Sequence, residues 1–377
     1  MRLEQWRGSS VWQSSRLIPG VSTVQICPPL PIKTFPEKHK MKRRNLIEQV
    51  LKTVRSYEML APGDSVLIAV SGGPDSIFLM HALSALKNKL KLKSIAVCSL
   101  DHGLRGKASK DDSAFVGRAA GKLGMKFFHK AIDLGKAPGR GISTEEAARE
   151  ERYKFFKEAA ELSGSGVVAT GHTLDDQAET VVMRFVKGAA LKGIVGIAPV
   201  RPFGGLKVIR PLIEIEKREI LGYLKDSGIK YRIDKTNLEP VYFRNVVRSE
   251  ILPFLERYNP RLKRSLFNLA EHLREDFNFI EDAKSRLTGF PGGIGASRVE
   301  IKLKDIAVQP GALQKEIMRD LMEDAGGEVK RLSFRHWKEL EALIRTRDKG
   351  SSVDLPGGVR VTRTAESVVF SRNMTLP

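Results

Sequence analysis

The chain has 377 residues, 41% of them hydrophobic and 29% charged, enough to bury a core in two domains and outside the composition of a disordered or fibrous protein. Sixty-four Lys and Arg face 44 Asp and Glu, a net charge of +20 that favours polyanionic partners, nucleic acid or nucleotide first. Cys27 and Cys98 stand far apart with no CxxC pair, which excludes a disulfide framework and a cysteine zinc site; no run of 18 apolar residues and no signal-like N-terminus occurs, so a soluble, cytoplasmic protein without a membrane partner is expected.

Residues 1–40 lack helical or strand periodicity and carry Pro28, Pro29, Pro31 and Pro36, so they read as a disordered tail. Met41, followed by Lys42-Arg43-Arg44 and an amphipathic stretch, is a candidate for the true start of translation. From residue 65 onward, short apolar runs alternate with longer amphipathic stretches, the pattern of βα units on a parallel sheet. Strands are predicted at Val66–Val70, Ile95–Leu100, Phe127–Ile132 and Val167–Thr170. Ligands in such sheets bind beyond the carboxyl ends of the strands, so the loops starting at Ser71, Asp101 and Gly171 should converge on one crevice. Ser143 and Glu146 have capping-box spacing and open a helix to about Leu162. Beyond Pro253 the composition shifts to charged helical stretches at 261–288 and 311–347, separated by a glycine-rich segment, and short strands follow around Pro356-Gly357-Gly358. The expected organisation is a tail (1–40), a doubly wound, mostly parallel α/β catalytic domain (41–255) and a smaller, mainly helical domain (256–377).

Ser71-Gly72-Gly73-Pro74-Asp75-Ser76 follows a strand and opens a helix, so its backbone N–H groups and the helix dipole face an anion. The glycines let the backbone approach phosphate oxygens, Ser71 and Ser76 add hydroxyl donors, and Asp75 is placed to hold a magnesium ion. No Lys follows the glycines, so this is not a Walker A loop. The segment resembles the SGGxDS loop of the PP-loop ATP pyrophosphatase superfamily, which implies an adenine nucleotide α-hydrolase-like domain that splits ATP between its α and β phosphates.

Four further stretches are similar to those of tRNA(Ile)-lysidine synthetases. Asp101-His102-Gly103-Leu104-Arg105 resembles the family's HGLR segment, although the family's earlier His is Cys98 or Ser99 here. Glu145-x-x-Ala148-Arg149-x-x-Arg152-Tyr153 resembles its ExxARxxRY helix, and Arg149 and Arg152 share a helix face. Gly171-His172-x-x-Asp175-Asp176-x-x-Glu179-Thr180 resembles GHxxDDxxET; helical spacing crowds its three carboxylates onto one side, where they suit magnesium or a substrate ammonium. Asp234-x-x-Asn237-x-Glu239 and Arg244-Asn245-x-x-Arg248 resemble DxSNxD and RNxxR with Thr236 and Glu239 as mild departures. Arg244 and Arg248 are four apart and are expected to face RNA phosphates or the rest of the crevice.

The resemblance implies adenylation of the C2 oxygen of the wobble cytidine (position 34) in an isoleucine tRNA with a CAU anticodon. Free L-lysine then displaces AMP. It also implies ATP and Mg2+ as cofactors. By this reading Asp75, His172, Asp176 and Glu179 are catalytic, with Asp75 and Asp176 as metal ligands and Glu179 receiving the substrate amine. Ser71, Gly72, Gly73, Pro74, Ser76, His102 and Arg149 belong to the nucleotide site, and Arg152, Arg244, Asn245 and Arg248 to RNA. Residues 201–264 hold 15 Lys and Arg against 8 Asp and Glu, a basic surface suited to tRNA. A homodimer is left open. The rival readings are a PP-loop tRNA thiolase, which needs more cysteines than two, an amidotransferase-coupled synthetase, for which no glutamine-hydrolysing domain is visible, and a non-catalytic, nucleotide-regulated RNA-binding protein.

Overall fold

The computed structural model describes residues 46–101, 107–132, 144–232, 243–287 and 298–372, with backbone alone at 107–110 and 144–147. The N-terminal tail with Met41 and Cys27, the Ser143 cap, His102, Gly103, Arg105, Asp234, Asn237, Glu239 and the glycine-rich segment 289–295 lie outside the described residues.

The chain runs α1 (Leu46–Ser56), β1 (Ser65–Ala69), α2 (Pro74–Leu86), β2 (Ser94–Asp101), α3 (Lys107–Lys122), β3 (Lys126–Ala131), α4 (Thr144–Ser163), β4 (Val167–Ala169), α5 (Leu174–Val186), α6 (Leu191–Ile194), β5 (Val200–Phe203), β6 (Leu206–Ile209) and α7 (Lys217–Asp226). Then come α8 (Phe243–Val246), a π-helical turn (Val247–Ile251), α9 (Leu252–Glu256) and α10 (Leu262–Ser285). The remainder is β7 (Arg298–Lys302), α11 (Leu303–Ala307), α12 (Gly311–Asp324), a 3-10 turn (Val329–Arg331), α13 (Phe334–Arg345), β8 (Ser352–Leu355), β9 (Val359–Arg363) and β10 (Ser367–Arg372).

The first sheet has six strands in the order β3-β2-β1-β4-β6-β5, parallel except at the β5 edge. β1 lies at its middle, with Ile68 opposite Val97 on one side and Ala169 on the other. Its side chains alternate between faces: Val66, Ile68 and Val70 pack with Val50, Ile77, Phe78 and Ile220 from α1, α2 and α7, while Leu67 packs with Phe155, Phe156, Ala159 and Ala160 of α4. Helices therefore cover both faces, and each fully buried aliphatic side chain contributes roughly 1.5–3 kcal/mol. Strand order reverses between β1 and β4, so the crevice that binds ligands in doubly wound sheets opens between the segments following those two strands.

The C-terminal region carries a four-stranded antiparallel sheet, β7-β10-β9-β8, backed by α12 and α13 around Ile301, Ile317, Leu321, Leu343, Val361 and Phe370. The region is mainly helical with the short terminal strands the sequence leads one to expect, β7 being an additional edge strand, and the stretch 311–347 is two helices separated by the 3-10 turn. α10 spans about 36 Å at 1.5 Å per residue and links the two parts: Leu262 and Leu266 pack on Ala178 and Val182 of α5, Phe267 on Leu174 and Ile213, and Ile280 and Ala283 on the C-terminal core. Among the described residues no helix is long and apolar enough to cross a membrane.

Candidate active site

The loop after β1 turns at Gly72, whose φ of +89° lies in the left-handed region that a Cβ disfavours. Gly73 is the N-cap of α2 and Pro74 its first residue, where a missing N–H costs nothing. The two serines tie the loop to its helix. The Ser71 N–H donates to Ser76 Oγ at 3.2 Å, the two hydroxyls lie 3.3 Å apart, and Ser76 Oγ donates to the Gly73 carbonyl at 3.0 Å. The turn is thereby fixed with the N-terminus of a 13-residue helix facing the crevice, the arrangement that binds phosphate.

Asp75 stands in the first turn of α2. Its Oδ1 is buried without a hydrogen-bond partner among the described residues, and Oδ2 faces Lys217 Nζ at 3.4 Å. Burial pushes its carboxyl up to about 6; Asp176 and Asp175 push the same way and Lys217 opposes them.

The segment after β4 closes on this loop. A Cβ on Gly171 would lie 3.1–3.2 Å from the backbone of Asp75 and Ser76, so only a glycine lets the two strand ends meet this closely. Gly171→Ala should push the PP-loop aside by a few tenths of an ångström and weaken ATP binding about tenfold, a value anchored to roughly 1.4 kcal/mol of lost fit. Calorimetric titration with ATP beside a melting curve checks this, and unchanged affinity would show that the contact is slack.

α5 begins at a capping box in which Thr173 Oγ1 and the Thr173 N–H each donate to Asp176 Oδ2 at 2.9 Å. The three carboxylates of this helix are held together by cations from distant parts of the chain. Asp175 accepts from the Lys217 backbone N–H at 2.7 Å and pairs with Lys263 Nζ at 2.9 Å. Asp176 Oδ1 accepts from Arg244 at 2.8 Å. Glu179, 2% exposed, accepts from Arg244 Nε at 2.7 Å and from Arg248 Nε and Nη2 at 2.6 and 3.0 Å. Burial pushes Asp176 up, but the Arg244 guanidinium and the two Thr173 hydrogen bonds win and hold it below the usual carboxylate range. His172 Nδ1 lies 2.9 Å from Thr170 Oγ1; burial, reinforced by Arg210, Arg244 and Arg152, lowers its pKa to about 4, so the imidazole is neutral at pH 7.

A PP-loop domain model matches residues 41–255. The tRNA(Ile)-lysidine synthase of Geobacter sulfurreducens is 34% identical over 346 residues, covering 89% of this chain and 71% of that protein. That of Clostridioides difficile is 31% identical over 329 residues, covering 86% and 70%. The chain belongs to the tRNA(Ile)-lysidine synthase family. Its PP-loop is accordingly an ATP-binding loop, and the family assignment makes it a ligase that forms a C–N bond. Among solved structures, the U34-tRNA thiolase NcsA from Methanococcus maripaludis with its [4Fe-4S] cluster shares the fold, with a TM-score of 0.51 at 21% identity over 61% of this chain and 78% of that one.

The family motifs fall into place unevenly. Ser71 to Ser76, His172, Asp176 and Glu179 converge on the crevice with Arg244 and Arg248, whose guanidiniums engage carboxylates of α5; Asn245 lies between them on α8. Arg152 of α4 is near enough to act on His172, whereas Arg149 is exposed and lies over the Tyr153 ring, 5.4 Å from its centroid, with the Tyr153 ring tilted at 51° against Phe203. Two functional-looking lysines escape sequence reasoning. Lys217 lies in the charge run Glu214 to Glu219 and Lys263 in Arg261 to Arg264, both inside the basic stretch 201–264 where nothing in the spacing singles them out, and only the fold brings them to Asp75 and Asp175. Gln177 is fully buried and holds the segment after α6, donating to the Val195 carbonyl and accepting from the Ile197 N–H; Arg274 of α10 donates to the carbonyls of the same two residues.

Proposed function

We propose that the protein joins free L-lysine to C2 of the wobble cytidine of an isoleucine tRNA with a CAU anticodon, consuming ATP and giving lysidine, AMP and pyrophosphate. The observation that carries this reading is the contact of Gly171 with the Asp75–Ser76 backbone, which sets the phosphate-binding turn against the carboxylates of α5. In the first step the cytosine C2 oxygen attacks the α-phosphorus and pyrophosphate leaves, converting a poor leaving group into a good one. In the second, the lysine ε-nitrogen bonds to C2, AMP departs with the oxygen, and the amine sheds a proton.

The residues fit this chemistry in distinct ways. The loop N–H groups and the α2 N-terminus receive phosphate oxygens. The orphaned, buried Oδ1 of Asp75 fits a magnesium ion shared with the triphosphate, and such an ion, when bound, would neutralise charge developing on pyrophosphate. Asp176, the other expected ligand, is already engaged by Arg244 and Thr173, and among the described residues no three acidic, His or Cys side chains form a complete metal site. Neutral His172 can hydrogen-bond within the crevice without adding charge. Both oxygens of Glu179 are taken by arginines, so Glu179 acts through the arginines it holds; Asp75 Oδ1 is unpaired whenever no ion occupies it, so in the second step, with no triphosphate left to share an ion, Asp75 is the better acceptor for the amine proton.

A thiolase shares the fold, but two cysteines, of which Cys98 is buried in β2, do not make a cluster site. Incubation with ATP, labelled lysine and tRNA transcripts should place label in the wobble nucleotide only when ATP and a CAU anticodon are both present. Label in any other nucleotide, or none at all, would refute the assignment.

A further inference from the structure

Phe254 lies in α9 and Tyr258 in the turn that follows it, four residues on, with ring centroids 5.5 Å apart and planes at 64°. They are 52% and 71% exposed, an unusual state for two adjoining aromatic rings, since single exposed apolar residues are ordinary and paired ones are not. Arg257 and Arg261 flank them at the elbow into α10, both exposed and without an ion pair or hydrogen bond from the guanidinium among the described residues.

The pair adjoins the active site. Phe254 is six residues beyond Arg248, about 9 Å along a helix axis. Lys263 bridges from Asp175, at the start of α5, to Glu256, between the two rings in sequence, at 2.9 and 3.3 Å. A π-face every base can use, set beside unpaired guanidiniums and within reach of a crevice that must receive a splayed-out nucleotide, has the composition of a single-stranded nucleic acid platform.

Resting on the function proposed above, we infer that Phe254 and Tyr258 stack unpaired bases of the tRNA anticodon loop flanking the reacting cytidine, while Arg257 and Arg261 hold the adjoining phosphates. The charge complementarity of the elbow selects RNA over a second copy of a chain that itself carries +20.

The test uses Phe254→Leu with Tyr258→Leu, which keeps apolar bulk and removes the π-faces, and Phe254→Trp, which restores one. Binding of a CAU anticodon stem-loop, followed by fluorescence anisotropy across a salt series, should weaken at least about tenfold in the double Leu variant and stay near wild type in the Trp variant. Arg257→Gln and Arg261→Gln should each reduce the slope of log K against log salt by about 1. ATP affinity and melting temperature should not move in any of them. Stem-loop binding equal to wild type in the double Leu variant would overturn the platform, as would a wild-type dimer that this variant converts to monomer in sedimentation. If the wild type labels its tRNA with lysine while the variants bind normally, only the platform falls; if the wild type labels no tRNA, the functional reading beneath it falls first.

Discussion

Asp75→Asn is expected to lower lysine incorporation and pyrophosphate release about 10³-fold, the scale of losing the carboxylate that would hold a cation against the negative charge developing on pyrophosphate. The fold should not suffer. Burial raises the Asp75 carboxyl from 3.8 to about 6, so the native state binds this proton more tightly than the unfolded chain does. A raised acid makes the ionised form a cost: stability attributable to this group is present at low pH and is lost as pH climbs from about 4 through about 6. Without nucleotide or metal, the Asn variant should therefore melt no lower than wild type at pH 7.5, and the wild type should gain stability relative to the Asn variant as pH falls through that window, against the loss common to both as buried His172 takes up its proton. Thermal melts at several pH values, run beside the turnover assay, check both halves. A variant that retains turnover removes Asp75 from the chemistry, and one that melts several degrees lower makes it a structural residue.

Glu179→Gln should fail in the opposite manner, through the architecture. The carboxylate is 2% exposed and receives Arg244 and Arg248, which are themselves over a third exposed in their side chains. Removing one partner of a buried ion pair costs 3–5 kcal/mol when both are buried; solvent at the arginines reduces this to roughly 2 kcal/mol, a fall in melting temperature of about 4–8 °C. Arg244 also holds Asp176, so the loss should spread to the start of α5, with turnover falling about 10²-fold while ATP affinity, set by the PP-loop, changes little. Differential scanning calorimetry and ATP titration separate the two effects. A variant as stable as wild type with normal turnover would mean the arginines need no anchor.

The legible part of this protein is the part written in short-range spacing. Val66–Val70 and its neighbours are apolar runs because both faces of their sheet are covered, and the two glycines after β1 announce a phosphate turn because backbone geometry demands them. The β5–β6 hairpin went unread since Pro202 interrupts its first strand; as an edge strand β5 can lack that N–H. β7 was legible in principle, its Arg298–Lys302 alternation matching alternate buried and exposed positions, but five residues after a glycine-rich stretch give little signal. At the site, GHTLDDQAET gave the acids and helical spacing their common side. Their cations were another matter: Arg244 and Arg248 lie more than sixty residues away, and spacing says which residues share a face without saying what the face meets. Lys217 and Lys263 carried no mark distinguishing them from surface charge.

The π-helical turn at Val247–Ile251 has a bearing on how this family can change over time. Such a turn accommodates one more residue than an α-helix would, and it sits between Phe243–Val246, which carries Arg244, and the segment carrying Phe254. Excising a single position there would restore regular pitch and remove the wide turn from which Arg248 reaches Glu179 beside Arg244, loosening the anchored arginines ahead of the aromatic pair. Length in this stretch should thus be held more strictly than identity, with substitutions accumulating where insertions and deletions cannot.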